Sequence, residues 1–178
     1  MSILEDRKDE SRSGGDSVQE FVRDGRSPIP KSPVTSMVMS ANRAQNTGPE
    51  LALRRDLWRF GVRGYRLHPR GIPGRPDISF PKQRVAVFVH GCFWHRCPNC
   101  DPPLPKSHKR FWSSKFSRNK QRDQEKLQDL ALAGWESVII WECELRKNPS
   151  SCVRRVIRAM HTTSSVPFQA RGSRLNQP

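Results

Sequence analysis

The 23 residues PGRPDISFPKQRVAVFVHGCFWH, numbers 73–95, decide the fold of this chain. Two short apolar runs, residues 77–80 and 85–89, flank the polar residues 81–84 and predict a strand, a turn and a second strand. The second run leads directly into two histidines, a cysteine and two aromatic residues. The stretch therefore predicts a pair of neighbouring strands with chemically active side chains at one end.

Helical patterns surround this pair of strands. Residues 47–60 are predicted to form a helix, because Thr47 and Glu50 have capping-box spacing and apolar residues recur on one side. Further patterns predict a helix over residues 115–133, a strand over residues 137–141, and a last helix that begins at Asn148 and Pro149. The order α, β, β, α, β, α indicates a small mixed β-sheet with helices on its faces, which is an α/β fold.

The charge of the chain is strongly positive and unevenly distributed. Its 178 residues have a formal net charge of +15, with 32 Lys and Arg against 17 Asp and Glu. Residues 1–40 are nearly neutral, so the excess belongs to the rest of the chain. Such an excess is typical of proteins that bind a polyanion, and nucleic acid is the first candidate. No long apolar span, signal peptide or basic amphipathic terminal helix points to a membrane.

Composition divides the chain into one domain and two tails. Residues 1–35 are rich in Ser, Gly, Asp, Arg and Pro, and they are expected to form a disordered N-terminal arm. Residues 162–178 are expected to form a disordered C-terminal tail for the same reason. A hydrophobic content of 34% allows one modest core, so we expect a single domain over residues 36–161.

Four of the five cysteines are spaced like metal ligands, and they are Cys92, Cys97, Cys100 and Cys143. A tetrahedral zinc site would tie the segment after the second strand to the end of the third strand. A redox role for the Cys-Pro-Asn-Cys motif needs a following helix, whereas Asp-Pro-Pro-Leu-Pro follows. Buried cysteines without a metal are the other alternative. We expect a structural zinc, and we place Cys152 in the core.

Asp77 is the candidate catalytic carboxylate, because it stands at the start of a strand after a turn rich in Gly and Pro. Such a carboxylate can hold Mg²⁺ against a phosphate, since this ion keeps several waters and needs few protein ligands. On the local sequence alone, Asp77 is better explained as a turn or N-cap residue. The neighbouring strand, however, leads to His90 and His95, and neutral imidazoles suit proton transfer, although each histidine alone could be structural.

Four motifs together resemble one family, and they are Pro73-Gly-Arg-Pro-Asp77, His90-Gly-Cys-Phe-Trp-His95, Phe111-Trp112 and Trp141-Glu-Cys143. In order and approximate spacing they resemble the very-short-patch mismatch repair endonucleases, or Vsr family, from about Ser36 to about Arg146. The resemblance implies a restriction-endonuclease-like single domain, residues 36–161, with a structural zinc. It also implies an enzyme, a Mg²⁺-dependent endonuclease that nicks the thymine strand at T·G mispairs arising from deaminated 5-methylcytosine and so initiates very short patch repair.

The resemblance also implies roles for single residues. Asp77 resembles the family's magnesium-binding aspartate, and Val89 stands where a backbone carbonyl coordinates the same ion. His95 resembles the histidine assigned to proton transfer, with His90 as a second imidazole. Glu50 corresponds to a helix glutamate near the active site, although a capping box explains it equally well. In the zinc loop an all-cysteine set replaces the mixed His and Cys set of one well-known form, and we expect the zinc to be kept.

Aromatic and basic residues are the expected DNA contacts. Phe93, Trp94 and Trp112 resemble rings that wedge into the base stack beside the mispair, where a mismatched step resists least. Ordinary core packing is the alternative for these rings. Cations surround Trp112 in a segment almost without acids, and they should meet phosphates rather than form a merely solvated face. The expected polar contacts are Lys115, Arg118, Asn119, Lys120 and Arg122.

Two functions of different classes follow. The first is the nicking endonuclease, which binds double-stranded DNA with a T·G mismatch and works with other repair proteins. The alternative is a non-catalytic, zinc-stabilised DNA-binding module. The combination of Asp77, His90 and His95 favours the enzyme, because a pure binder has no need for it. We expect a monomer in the cytoplasm that associates with the nucleoid and not with a membrane.

Overall fold

The structure is a computed structural model that describes residues 45–164. The predicted arm, residues 1–35, and all but the first residues of the predicted tail lie outside the described residues. In chain order the elements are α1 (Gly48–Arg59), β1 (Arg66–Leu67), β2 (Ile78–Phe80), β3 (Val85–His90), α2 (Cys92–His95), α3 (Lys109–Leu132), β4 (Glu136–Trp141), α4 (Glu142–Lys147) and α5 (Pro149–Ser164).

Helix α1 begins where the capping pattern predicts it. The Thr47 hydroxyl accepts a hydrogen bond from the Glu50 N–H at 3.4 Å, and the Glu50 carboxylate accepts one from the Thr47 N–H at 3.3 Å. This closed capping box satisfies two backbone donors at the helix start. Leu53 and Leu57 are fully buried, so the apolar side of the helix packs on the core.

A four-stranded sheet of order β1-β2-β3-β4 forms the centre of the fold. Strands β1 and β2 are antiparallel, and so are β2 and β3, where Ile78 stands opposite Val87. Strands β3 and β4 are parallel, with Val89 opposite Ile140. All six residues of β3 are buried, as expected for a central strand covered on both faces.

The alternation of side chains along β3 divides the core between the two faces of the sheet. Val87 and Val89 belong to the larger cluster, which includes buried residues of α1, β4 and α5. Phe88 belongs to a smaller cluster with Leu130 of α3. By the same alternation, His90 at the strand end falls on the face that α3 covers. The mixed sheet with helices on both faces confirms the predicted α/β architecture.

Three short elements were not predicted, namely β1, α2 and α4. They have two, four and six residues, which is too short for a periodic pattern to be visible. Phe93 and Trp94, for which the sequence predicts a loop, lie on the helical turn α2. Helix α3 begins at Lys109, before the predicted start at residue 115, and α5 continues to Ser164. Across residues 45–164, no helix is long and apolar enough to cross a membrane.

Candidate active site and metal centre

The carboxyl ends of the parallel strands β3 and β4 meet at one edge of the sheet, where His90 stands opposite Trp141. Helices α2 and α4 begin directly after these strands and carry Cys92 and Cys143. Strand pairing thus brings together two segments that are distant in the sequence. In open α/β sheets this edge is the usual place for a site.

The four predicted zinc ligands come together at this edge. The ligand atoms of Cys92, Cys97, Cys100 and Cys143 all lie within 4.8 Å of one another. The Sγ atoms of Cys97 and Cys143 are 3.6 Å apart. Two thiolates on a tetrahedral zinc ion, each about 2.3 Å from the metal, would stand roughly 3.8 Å apart. The four-sulfur set therefore fits a tetrahedral ion such as zinc, while Cys152 is buried in the core as expected.

The thiols of this cysteine cluster differ in how readily they ionise. Burial raises the pKa of Cys92 well above its ordinary value. Burial acts in the same direction on Cys97, but backbone N–H groups of Cys100 and Asn99 outweigh it and lower the pKa of that thiol. Metals bind the thiolate form, which the backbone N–H groups beside Cys97 stabilise.

Asp77 lies directly before β2, and a backbone donor holds its carboxylate. Oδ2 of Asp77 accepts a hydrogen bond from the Val89 N–H at 2.7 Å. Burial raises the pKa of Asp77, the bond from Val89 lowers it, and the charge of Glu50 raises it again, with a net increase. The protein environment therefore disfavours the ionised form of Asp77. A cation next to Asp77 would stabilise that form, as metal ions do at their carboxylate ligands.

In a β-strand the N–H and the C=O of one residue point to the same side of the strand. The Val89 carbonyl therefore points to the side of β3 on which its N–H donates to Asp77. Extending the β2–β3 register by two residues from the pair Ile78 and Val87 places Pro76 opposite Val89. Pro76 has no N–H to donate to that carbonyl. The carbonyl oxygen therefore lacks its normal partner in the sheet, and an oxygen-binding cation beside Asp77 would fit it.

Glu50 is both a capping residue and a neighbour of Asp77. Its side chain is 3% exposed, and its Oε2 accepts hydrogen bonds from the Asn46 N–H at 3.0 Å and Nη2 of Arg54 at 3.1 Å. The ligand atoms of Glu50, His68 and Asp77 lie within 4.8 Å of one another. The two interpretations of Glu50 from the sequence are therefore compatible.

His90 and His95 form a second group with Asp123, which was not predicted. The two imidazole rings stack with their centroids 4.0 Å apart. Nδ1 of His95 lies 2.5 Å from Oδ2 of Asp123. Burial raises the pKa of Asp123, but the hydrogen bond and charge of His95 outweigh it, so the net shift is downward. Asp123 is therefore a carboxylate that accepts the Nδ1–H of His95.

The predicted wedge residues belong to one aromatic cluster. Phe93 packs edge to face on Trp94 at 5.0 Å between centroids, and it contacts Trp112 at 5.4 Å and Phe116 at 5.3 Å. Trp112 and Phe116 are 9% and 5% exposed, whereas Phe93 and Trp94 are half-buried. In this conformation Trp112 supports the cluster, and the two rings of α2 are the more accessible ones.

The expected phosphate contacts lie on α3. Arg118, Lys120 and Arg122 are exposed, and Lys115 is half-buried with its Nζ 5.5 Å from the centroid of Trp94. Burial, and then the charge of Arg118, lower the pKa of Lys115. The fifth residue of the set, Asn119, donates a hydrogen bond from Nδ2 to the Trp94 carbonyl at 2.9 Å, which ties α3 to α2.

Three ionisable residues of these groups were missed in the sequence, namely Arg54, His68 and Asp123. One signal could have indicated Asp123, because it is the first acidic residue after Asp101 in a strongly basic segment. Arg54 and His68 carry no comparable signal, since their contacts depend on how the chain after α1 folds back over that helix.

The known proteins that this chain resembles are described as DNA endonucleases or nicking enzymes. The profile of a family described as DNA mismatch endonuclease Vsr matches residues 31–101. The Type II nicking enzyme V.XorIIP of Xanthomonas oryzae pv. oryzae is 46% identical over 108 residues, which cover 61% of this chain and 79% of the relative. The Type II nicking enzyme V.NaeI of Lentzea aerocolonigenes is 41% identical over 125 residues, 67% of this chain and 74% of the relative. The DNA mismatch endonuclease Vsr of Escherichia coli K12 is 37% identical over 82 residues, 46% of this chain and 53% of the relative.

Proposed function

The chain belongs to the Vsr family of DNA mismatch endonucleases, and on that premise we propose that it nicks the thymine strand at a T·G mispair by Mg²⁺-dependent phosphodiester hydrolysis. One observation carries the proposal. Val89 and His90 are consecutive residues of β3, and each contacts one proposed catalytic residue. The Val89 N–H donates to the Asp77 carboxylate, and the His90 ring stacks on the His95 ring. These two contacts at one strand end support the proposed roles of the carboxylate in holding a cation and of the imidazole in moving a proton.

The assignment as a DNA endonuclease rests on the family to which the chain belongs. The chain is a DNA endonuclease, and its mixed four-stranded sheet with helices on both faces is restriction-endonuclease-like. Its relatives V.XorIIP and V.NaeI are nicking enzymes. The T·G preference, the magnesium ion, the zinc ion and the residue roles are proposals.

Asp77 and the Val89 carbonyl would hold Mg²⁺ in this proposal. When bound, the ion supplies Lewis-acid stabilisation of the charge that develops on the phosphate oxygens. The protein's part is orientation, since the Val89 N–H holds Oδ2 of Asp77 and so limits how the carboxylate can turn. Glu50 lies in the same group and is held by its own hydrogen bonds.

His95 is the residue that we propose to move a proton. Because Asp123 accepts the Nδ1–H, the Nε2 atom of a neutral His95 has a free lone pair that can take a proton from the attacking water. Asp123 then stabilises the imidazolium that forms. Burial, and then the charge of His95, lower the pKa of His90 to about 4, so His90 stays neutral near pH 7 and adds no charge against His95.

Replacing Asp123 by Asn should lower the nicking rate at saturating DNA by about a hundredfold, because the amide keeps the shape but no longer stabilises a charged His95. DNA affinity should stay within about threefold. Single-turnover rates and fluorescence anisotropy measure the two quantities. Asp129→Asn, on the exposed side of the same helix, is the matched control and should behave as wild type. An unchanged rate for Asp123→Asn would remove this residue from the mechanism.

Mismatch selection is proposed to come from Phe93 and Trp94, supported by Trp112. Opening a base step costs a few kcal/mol, and a mispaired step resists least, so insertion of a ring favours the mispair. The cations of α3 would contact phosphates without regard to sequence. Affinity and mismatch selection would then depend on different residues.

Replacing Trp94 by Ala should lower nicking at a T·G site by about tenfold to a hundredfold, since stacking on one aromatic ring contributes roughly 1–3 kcal/mol. Affinity for matched DNA should change far less, because phosphate contacts dominate it. Trp58→Ala is the control, as Trp58 is an exposed tryptophan on α1. Equal losses of affinity for matched and mismatched DNA would show that Trp94 only supports the fold.

The overall proposal is tested with a duplex that contains one T·G mispair, incubated with Mg²⁺, with Ca²⁺ or with no added divalent ion. Strand nicking with Mg²⁺ alone supports it. Binding without nicking under all three conditions, over several flanking sequences, would contradict it and favour a zinc-stabilised DNA-binding module.

A further inference from the structure

A buried guanidinium lies among the acidic groups around Asp77. The Arg54 side chain is only 12% exposed. Its Nη2 atom is 2.9 Å from Nε2 of His68 and 3.1 Å from Oε2 of Glu50. Its Nη1 atom donates to Oδ1 of Asn46 at 2.7 Å. Arg54 therefore bridges Glu50 of α1 and His68, which lies 14 residues after Arg54 in the chain.

The contact with Arg54 decides which nitrogen of His68 carries the proton. A guanidinium can only donate hydrogen bonds, so Nε2 of His68 must accept, and a neutral ring then has its proton on Nδ1. A proton on Nε2 would instead donate to Oε2 of Glu50, but that oxygen is more distant, at 3.4 Å. It would also place two N–H donors against each other at 2.9 Å.

The protonated nitrogen of His68 faces the proposed metal ligand. Nδ1 of His68 is 3.9 Å from Oδ1 of Asp77, a separation that a small movement closes to a hydrogen bond. The backbone N–H of His68 also donates to the Asp77 carbonyl, at 3.2 Å. His68 has a φ of +44°, a backbone conformation that persists only where surrounding contacts hold it.

We propose that Arg54 and His68 form a positioning pair for Asp77. The Val89 N–H holds Oδ2 of Asp77, and the His68 Nδ1–H lies 3.9 Å from Oδ1, where a small movement makes a second hydrogen bond. Together they restrict the rotation of the carboxylate, so its remaining lone pairs are aimed before a cation arrives. This inference rests on the proposed function, because it takes Asp77 as a metal ligand.

His68 is not itself a metal ligand in this arrangement. Its Nε2 lone pair is used by Arg54, and its Nδ1 carries a proton, so the neutral ring has no free lone pair. Mg²⁺ also prefers oxygen ligands. The pair therefore acts on the cation only through Asp77, and its loss should weaken metal binding more than it slows the chemical step.

The test compares His68→Leu, which removes both hydrogen-bonding nitrogens, with His68→Gln, which keeps one acceptor and one donor. Mn²⁺ serves as the probe, and its binding to the protein is followed by the loss of the free-ion electron paramagnetic resonance signal, with Mg²⁺ as competitor. We expect His68→Leu to weaken Mn²⁺ and Mg²⁺ binding by about tenfold to a hundredfold, and His68→Gln to restore most of it. The Mg²⁺ concentration for half-maximal nicking should shift in parallel, with the rate at saturating Mg²⁺ within about threefold of wild type.

Arg54→Lys provides a second variant in case His68→Leu does not fold, because it keeps the charge but cannot bridge two acceptors in the same way. It should weaken Mn²⁺ binding in the same direction as His68→Leu. Arg55→Leu is the control, since Arg55 is the next residue of α1 and is exposed. It should bind Mn²⁺ as wild type does.

Unchanged Mn²⁺ affinity in His68→Leu, or a His68→Gln variant no better than His68→Leu, would overturn the positioning pair. Failure of the proposed function has a different signature, since Asp77→Asn would then bind Mn²⁺ and nick DNA like wild type. An inactive Asp77→Asn together with a fully metal-binding His68→Leu would reject only the pair.

Discussion

Replacing Asp77 by Asn is expected to lower nicking of a T·G duplex by at least about a thousandfold. The amide keeps the shape of the carboxylate and can still accept the Val89 N–H, but it cannot supply the negative charge that holds Mg²⁺. Single-turnover nicking at saturating protein measures the loss, because it excludes effects of slow product release.

The same substitution should leave the fold intact. Burial raises the pKa of Asp77, so the folded protein disfavours the charged form, and a neutral amide should leave the melting temperature unchanged or raise it. Asp56→Asn, on α1, is the matched control and should nick as wild type. A folded Asp77→Asn protein that nicks within about tenfold of wild type would reject Asp77 as the catalytic carboxylate.

Removal of the metal from the cysteine cluster is expected to unfold the domain. A four-cysteine zinc site contributes on the order of 10 kcal/mol to folding, and the whole stability of a domain of this size is about 5–15 kcal/mol. The cluster also joins the ends of β3 and β4, near which the proposed active-site groups lie. A strong chelator should therefore abolish cooperative thermal unfolding together with DNA nicking.

Cys143→Ser should reproduce this loss, because it removes the one ligand that comes from the β4 end. Elemental analysis should find one zinc per wild-type chain, and circular dichroism should report the unfolding. Cys152→Ala is the control, since Cys152 is buried in the core outside the cluster. It should keep its zinc. Full stability of a metal-free wild-type protein would reject the structural zinc.

The local patterns of the sequence predicted the main elements well. The capping box at Thr47 and Glu50 marks the start of α1, and the apolar runs mark β2, β3 and β4, because these signals involve residues close in the chain. The short helices α2 and α4 have too few residues for a periodic apolar pattern. They follow the two parallel strands, and there the Cys143 N–H donates to Sγ of Cys92 at 3.3 Å.

The sequence predicted those parts of the candidate site whose residues lie close together in the chain. The cysteine set follows from its spacing, since three of the four ligands lie within nine residues. Asp123 and His68 were not predictable in this way. Asp123 reaches His95 only because α3 packs beside α2, and His68 reaches Arg54 only through a positive φ after β1. Such contacts are set by tertiary packing and not by sequence spacing.

The most direct measurement is a competition between two duplexes in one single-turnover reaction with Mg²⁺. One duplex contains a T·G mispair, the other has a C·G pair at the same place, and all four strands carry different labels. We expect one cut, in the thymine strand of the mispaired duplex, with both strands of the matched duplex intact and no product from Asp77→Asn. Equal nicking of both duplexes, or binding of both without any cut, would contradict the assignment of this chain as a mismatch-nicking endonuclease.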